Sequence, residues 1–255
     1  MLNTSVKILK PTNIIFYILT IIINSLAGGT TLIGGRLTAA VSDSNPTLVT
    51  PAGYVFSIWG IIYVLLGAFV VYQALPSRSN RDFAQKIGWL FVLSSIINIV
   101  WIFFWQFEYL VISVLLIFLL LATLIAIYVR LGIGKSKVGL DDRFAVHLPF
   151  SVYLGWITVA SIANVATALV SLNWNGAGIS AETWAILVVA VALVITALIL
   201  ITRKDIAYSL VIIWALVGIA VKQSGNQTIV MLTEISAVIV ALMLVATIII
   251  ARVKK

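Results

Sequence analysis

Cysteine is absent from this 255-residue chain, histidine occurs once, and acidic residues number eight. The first absence removes disulfides, thiolate metal sites, iron–sulfur clusters and cysteine nucleophiles, and leaves no redox compartment to be read. With His147 alone, no imidazole set is available for a metal and no Ser-based triad can be assembled. Charge is the scarcest property. Asp, Glu, Lys and Arg together make 9% of the residues, where a soluble domain uses roughly a quarter to cover its surface. What is present instead is apolar: 62% of the chain is hydrophobic. Secreted, fibrous, disordered and nucleic-acid-binding classes drop out, and an integral membrane protein remains. Its backbone groups must be satisfied within segments, so the fold class is all-α.

A crossing helix needs roughly 20 mainly apolar residues. Charge and Gly/Pro clusters divide the chain into eight such segments, near 13–33, 54–75, 87–107, 109–130, 146–170, 183–202, 206–221 and 228–251. The segment 206–221 is short for a perpendicular crossing and reads as a re-entrant or thin-bilayer helix. The first segment is too long and too well flanked for a signal peptide, and is expected to stay in the mature protein.

Basic residues assign the sidedness. Lys7 and Lys10, then Arg78, Arg81 and Lys86, then Arg130, Lys135, Lys137 and Arg143, then Arg203 and Lys204, then Arg252, Lys254 and Lys255 all fall in one set of loops. The opposite set holds only Arg36 and Lys222. The positive-inside rule then predicts an even number of crossings with both termini cytoplasmic. The net charge of +8 reads as orientation against anionic lipid headgroups, with membrane lipids as partners and no nucleic acid. On this topology the longest outer segment, 34–53, is the candidate lid.

Three segments carry an ordered polar and aromatic stripe. Phe56, Trp59, Tyr63 and Gly67 in the second, Ser94, Asn98, Trp101 and Trp105 in the third, and Tyr153, Trp156, Ala160 and Asn164 in the fifth each repeat at three- or four-residue spacing. At about 100° per residue each set occupies one helix face. Asn24, Gly28, Thr31 and Gly35 make a thinner stripe in the first segment, of the kind that permits close helix approach. Any one stripe is explained by interface aromatics or helix contacts. Asn98 and Asn164 within spans are not, because a buried amide is expensive unless it bonds to protein, ligand or water. A cavity lined by flat rings and a few amides suits a planar, amphipathic ligand.

The run from Thr50 to Gly67 resembles the second-helix signature of the TspO/MBR family of tryptophan-rich sensory or translocator proteins, with W-x-x-x-Y-x-x-x-G in register at Trp59, Tyr63 and Gly67. Asn98 and Trp101, followed by Phe103 and Phe104, resemble the family's third-helix L-N-x-x-W motif. Tyr153, Trp156, Ala160 and Asn164 resemble its fifth-helix motif. The departures are Ser57-Ile58 in place of a Pro-Val pair, Tyr54 in place of a Trp, Pro149 displaced, and Ser113 where some members carry Asp.

The resemblance covers about 10–174. It implies a five-helix transmembrane domain over 1–174 followed by a three-helix extension over 175–255. It also implies a pocket for a tetrapyrrole, sterol or similar flat hydrophobic molecule, lined by Phe56, Trp59, Tyr63, Asn98, Trp101, Trp105, Tyr153, Trp156 and Asn164 and closed by the loop between the first two helices. The protein is expected in the plasma membrane of a bacterium; no cofactor is implied, and homo-oligomeric assembly stays open.

Other features carry blander expectations. His147 reads as a helix-end residue, and Asp141-Asp142-Arg143 as a solvated loop without the second acidic pair of a magnesium-dependent prenyltransferase. Gly28-Gly29 and Gly34-Gly35 lack the strand and the Lys-Ser/Thr of a phosphate loop. Glu234 is the one carboxylate clearly inside a segment. It is expected to pair with Lys222; the alternative makes it the proton-coupled group of a secondary transporter. No second copy of the Trp59/Tyr63 motif follows residue 174, which counts against a repeat-built transporter. Catalysis on a lipid or pigment is the least supported reading, for want of acids, bases and metal ligands in the spans.

Overall fold

The computed structural model describes residues 4–75 and 82–253, so Arg78, Arg81, Lys254 and Lys255 lie outside the described residues. Eight long helices carry the fold: α1 (Thr4–Gly29), α2 (Ile58–Ala74), α3 (Leu90–Gln106), α4 (Leu110–Leu131), α5 (Leu148–Ser171), α6 (Ala181–Arg203), α7 (Ile206–Lys222) and α8 (Gln227–Val253). No strand occurs among the described residues. Six helical stretches are long and apolar enough to cross a membrane, and α3 and α7 are shorter apolar helices of 17 residues. At 1.5 Å per residue those two reach about 25 Å.

Local chemistry sets the boundaries. A 3-10 turn, Gly53–Ser57, leads into α2. Gly88, at φ +53, separates a short helix, Phe83–Ile87, from α3, so the expected third segment loses its first turn. Pro149 sits in the first turn of α5, where its missing N–H costs nothing. Ser180 caps α6 by accepting from Thr183 N, and Asp205 caps α7 by accepting from Tyr208 N. The expected first-helix stripe is corrected by the end of α1 at Gly29: Thr31 and Gly35 lie in the turn that follows, and exposed Gly28 has no close neighbour. Asn24 alone of the four is buried.

The helices α1 to α5 form a bundle in which α3 packs on α1 and α4, and α5 packs on α2 and α4. The helix α7 lies against α5 and carries α8, which in turn packs on α6. Close approach of α7 depends on Gly155, where a Cβ would stand 3.1 Å from Val211 Cβ and 3.2 Å from the Tyr208 carbonyl. One core runs from Ile62 and Phe69 through Leu120 and Trp156 to Tyr208, Ile212 and Ala237. The outer faces are apolar as well, with Leu115, Ile201 and Leu242 each about two-thirds exposed or more (68%, 70% and 64%). A continuous apolar exterior of that kind faces lipid.

Polar contacts collect at the two ends of the bundle. At the end rich in Lys and Arg, Tyr128 and Ser151 donate their hydroxyls to buried Asp205, Tyr72 donates to Asp142 at 2.7 Å, and Arg203 reaches the Ile133 carbonyl. Asp142 therefore ends a short helical turn, Leu140–Asp142, rather than lying in a solvated loop. At the opposite end, Arg36 pairs with Glu108 at 2.9 Å and Lys222 pairs with Asp43 at 2.6 Å. The expected Lys222–Glu234 pair is thus overturned, because the chain turn after α7 leaves Lys222 facing the α1–α2 loop. Glu234 is exposed on α8 and takes no ion pair among the described residues.

Candidate functional site

The three stripes of α2, α3 and α5 turn toward one another and meet in an aromatic seam. Trp59 is its centre. Its ring stacks on Tyr63 (centroids 5.7 Å apart), lies tilted against Trp101 at 5.9 Å, and meets Tyr153 and Trp156 edge-on at 6.1 and 6.2 Å. Phe56, in the 3-10 turn before α2, meets Trp156 edge-on at 5.9 Å, and Trp105 stacks on Trp101 at 5.9 Å. Stacked and edge-to-face geometries are the favourable ones for aromatic quadrupoles. The periodicity that placed each stripe on one face thus also brings the three faces together.

The amides thread through these rings. Asn24 of α1 donates to Asn98 Oδ1 at 2.7 Å, and Asn98 donates to the Tyr153 hydroxyl at 3.0 Å. Trp101 Nε1 donates to Asn164 Oδ1 at 2.9 Å, and Asn164 donates to Ser113 Oγ at 2.7 Å. Two polar atoms are left over. Trp156 Nε1 and the Tyr63 hydroxyl are buried without a hydrogen-bond partner, and a buried donor so placed costs free energy until something accepts from it.

Between the rings lies a small cavity of about 20 Å³, bounded by Phe56, Trp59, Trp101, Trp105, Trp156 and Asn164, with Ser42 and Pro51 of the α1–α2 loop above. That volume holds about one water. A small-molecule site runs to hundreds of Å³, so a tetrapyrrole enters only if the loop and rings move apart. All nine residues singled out in the sequence therefore belong to one connected cluster, six of them on the cavity and Tyr63, Asn98 and Tyr153 behind it.

Two contributors, Ser113 and Gln106, were not among the residues singled out in the sequence for the site. Ser113 closes the Asn164 chain. Gln106, at the end of α3, donates to the carbonyls of Ala27, Ile33 and Arg36, while Trp105 Nε1 donates to the Thr38 carbonyl. These bonds hold the 30–57 connection over the seam. His147 is buried at the start of α5, and no group of three or more His, Cys, Asp or Glu able to hold a metal occurs among the described residues.

Fold and site together define a multi-pass α-helical membrane protein with an aromatic cluster beneath an inter-helix loop. The family model of TSPO-like proteins matches residues 8–250, and the chain belongs to that family. The match extends beyond the motifs at α2, α3 and α5 and takes in α6, α7 and most of α8. Neither the curated proteins nor the solved structures return a match.

Proposed function

We propose that this protein binds a flat hydrophobic molecule, a tetrapyrrole or a sterol-like compound, in the seam around Trp59, and senses it or moves it across the membrane. The observation that carries this reading is Trp156, whose ring lines a cavity walled by aromatic rings and whose buried Nε1 has no hydrogen-bond partner. A ligand carbonyl or carboxylate would accept from it while the ring system stacks on Trp59 and Trp101. Protoporphyrin IX added to the purified protein is expected to quench Trp fluorescence with saturation. Trp156→Ala and Asn98→Ala are expected to weaken that quenching, and unchanged affinity in both would remove the site.

The same proposal takes all eight long helices as crossings, α3 and α7 included, with both termini in the cytoplasm of a bacterial cell. Reporter fusions at the C-terminus test this, and an external C-terminus breaks the count.

A second reading, proton-coupled transport, draws on Glu234, exposed on α8 with no ion-pair partner among the described residues. It requires pH-dependent uptake into vesicles that Glu234→Gln abolishes; uptake that survives the substitution ends it.

A further inference from the structure

The α1–α2 loop covers the cavity with Ser42 and Pro51, and the helix that holds it down from the far side is α7. Four contacts join them. Lys222 Nζ pairs with Asp43 Oδ1 at 2.6 Å, and Gln223 Nε2 donates to the Thr47 carbonyl at 2.8 Å. Ala52 N donates to the Gly218 carbonyl at 3.0 Å, and Trp214 Nε1 donates to the Val55 carbonyl at 3.2 Å while its ring meets Tyr54 edge-on. Gly218 permits this seating, since a Cβ there would collide with Val55 and press on Pro51. The helix α7 is itself fixed to the seam's rear wall through Gly155 of α5.

We propose that α7 is the latch of this lid, so that Lys222 and Gln223 are positioning residues that set how often the seam opens. Access to the site would then be governed by the C-terminal helices. A lid clamped only by α3, through Gln106 and Trp105, would be held along 27–38 and rest along 43–55 on the apolar packing of Val49 with Ala185, Ile219 and Ile229. The α7 contacts occupy that second stretch, and two of them, the exposed ion pair and the half-buried Gln223 bond, are made by side chains at the end of α7 that can let go without unfolding a helix. This inference rests on the ligand reading for its purpose, but not for its test.

Because the chain has no cysteine, Ser42→Cys places a single thiol on the cavity wall at a lid position that is 2% exposed. Its reaction rate with a small methanethiosulfonate reports lid opening with no ligand present. Adding Lys222→Ala with Gln223→Ala is expected to speed labelling about ten-fold, the loss expected from one exposed ion pair and one hydrogen bond together. Reversing one charge, Lys222→Asp, should also speed it, and the swap Asp43→Lys with Lys222→Asp should return the rate toward that of the parent. Equal rates across the series overturn the latch. Protoporphyrin IX separates the two ideas. If the parent shows no quenching yet labelling responds, the ligand reading fails and the latch stands; if quenching is intact and labelling does not respond, only the latch fails.

Discussion

Trp101 and Asn164 complete each other across the bundle: the indole Nε1 of α3 donates to the amide oxygen of α5 at 2.9 Å, and that amide donates onward to Ser113 of α4 at 2.7 Å. Three helices are thereby tied at one depth through the carbonyl oxygen and one N–H of a single amide. Asn164→Leu should leave the Trp101 N–H without an acceptor, while the Ser113 hydroxyl keeps its bond to the Leu110 carbonyl. The expected loss is about 1–2 kcal/mol of stability, at the upper end for an interhelical hydrogen bond in a membrane. Thermal unfolding in detergent measures it, and a melting temperature equal to the parent's would show that the chain Trp101–Asn164–Ser113 contributes nothing.

Trp156 presents the opposite case. Its ring is packed edge-on against Phe56 and Trp59, but its Nε1 has no acceptor. Trp156→Phe keeps most of the ring and deletes the unpaired donor, so the ligand-free protein should lose only about 1 kcal/mol, against about 3–5 kcal/mol for Trp156→Ala. Protoporphyrin IX affinity should nonetheless fall about five-fold in Trp156→Phe, the equivalent of one hydrogen bond. Fluorescence titration beside thermal unfolding checks both halves. Undiminished affinity would mean that the indole N–H makes no contact with the ligand.

The helical period made the seam legible before any coordinates, because Trp59, Trp101 and Trp156 each recur with their neighbours on a single face. Asn98 and Asn164 were legible as costly groups, yet their partners were not: Asn24 and Tyr153 meet Asn98 from α1 and α5, Trp101 and Ser113 meet Asn164 from α3 and α4, and one-dimensional spacing carries no information about pairing between helices. The Lys222–Glu234 expectation failed for the same reason. Both residues lie near one end of the bundle, but the closer carboxylate in space is Asp43, distant in sequence. The Thr31 and Gly35 positions failed through local chemistry instead, as α1 stops at a Gly pair that hydropathy does not register as a boundary.

Asp205 joins the C-terminal helices to the rest of the protein. Its carboxylate is buried, accepts from Tyr128 of α4 at 2.8 Å and Ser151 of α5 at 2.7 Å, and caps α7 through Tyr208 N at 3.2 Å. Arg203 lies over the Tyr128 ring, 5.4 Å from its centre, so the anion has a cation close by without a direct pair. Asp205→Ala should orphan two hydroxyls and one helix N-terminus together, a loss of about 2–4 kcal/mol. Asp205→Asn keeps an acceptor for the cap and should lose roughly half as much. Thermal unfolding of both variants decides, and equal, small losses would show that α7 is held by its apolar contact with α5 alone.

Gln106 offers the most localised test of how the lid is held on its α3 side. One side-chain nitrogen lies 3.2, 3.0 and 2.8 Å from the carbonyls of Ala27, Ile33 and Arg36, so two N–H groups serve three acceptors along the end of α1 and the turn beyond it. Its Oε1 is buried without a partner, which means the side chain is retained for its donors. Gln106→Leu keeps the volume and removes them. The Ile33 and Arg36 carbonyls lie outside any helix and would then depend on water, which must enter between α1 and α3. Amide exchange should rise about ten-fold or more across residues 30–40, the equivalent of one or two lost hydrogen bonds. The middle of α4 should keep its protection. Hydrogen–deuterium exchange read peptide by peptide measures both regions, and a rise spread evenly over the protein would mean that Gln106 supports the whole bundle and not the lid.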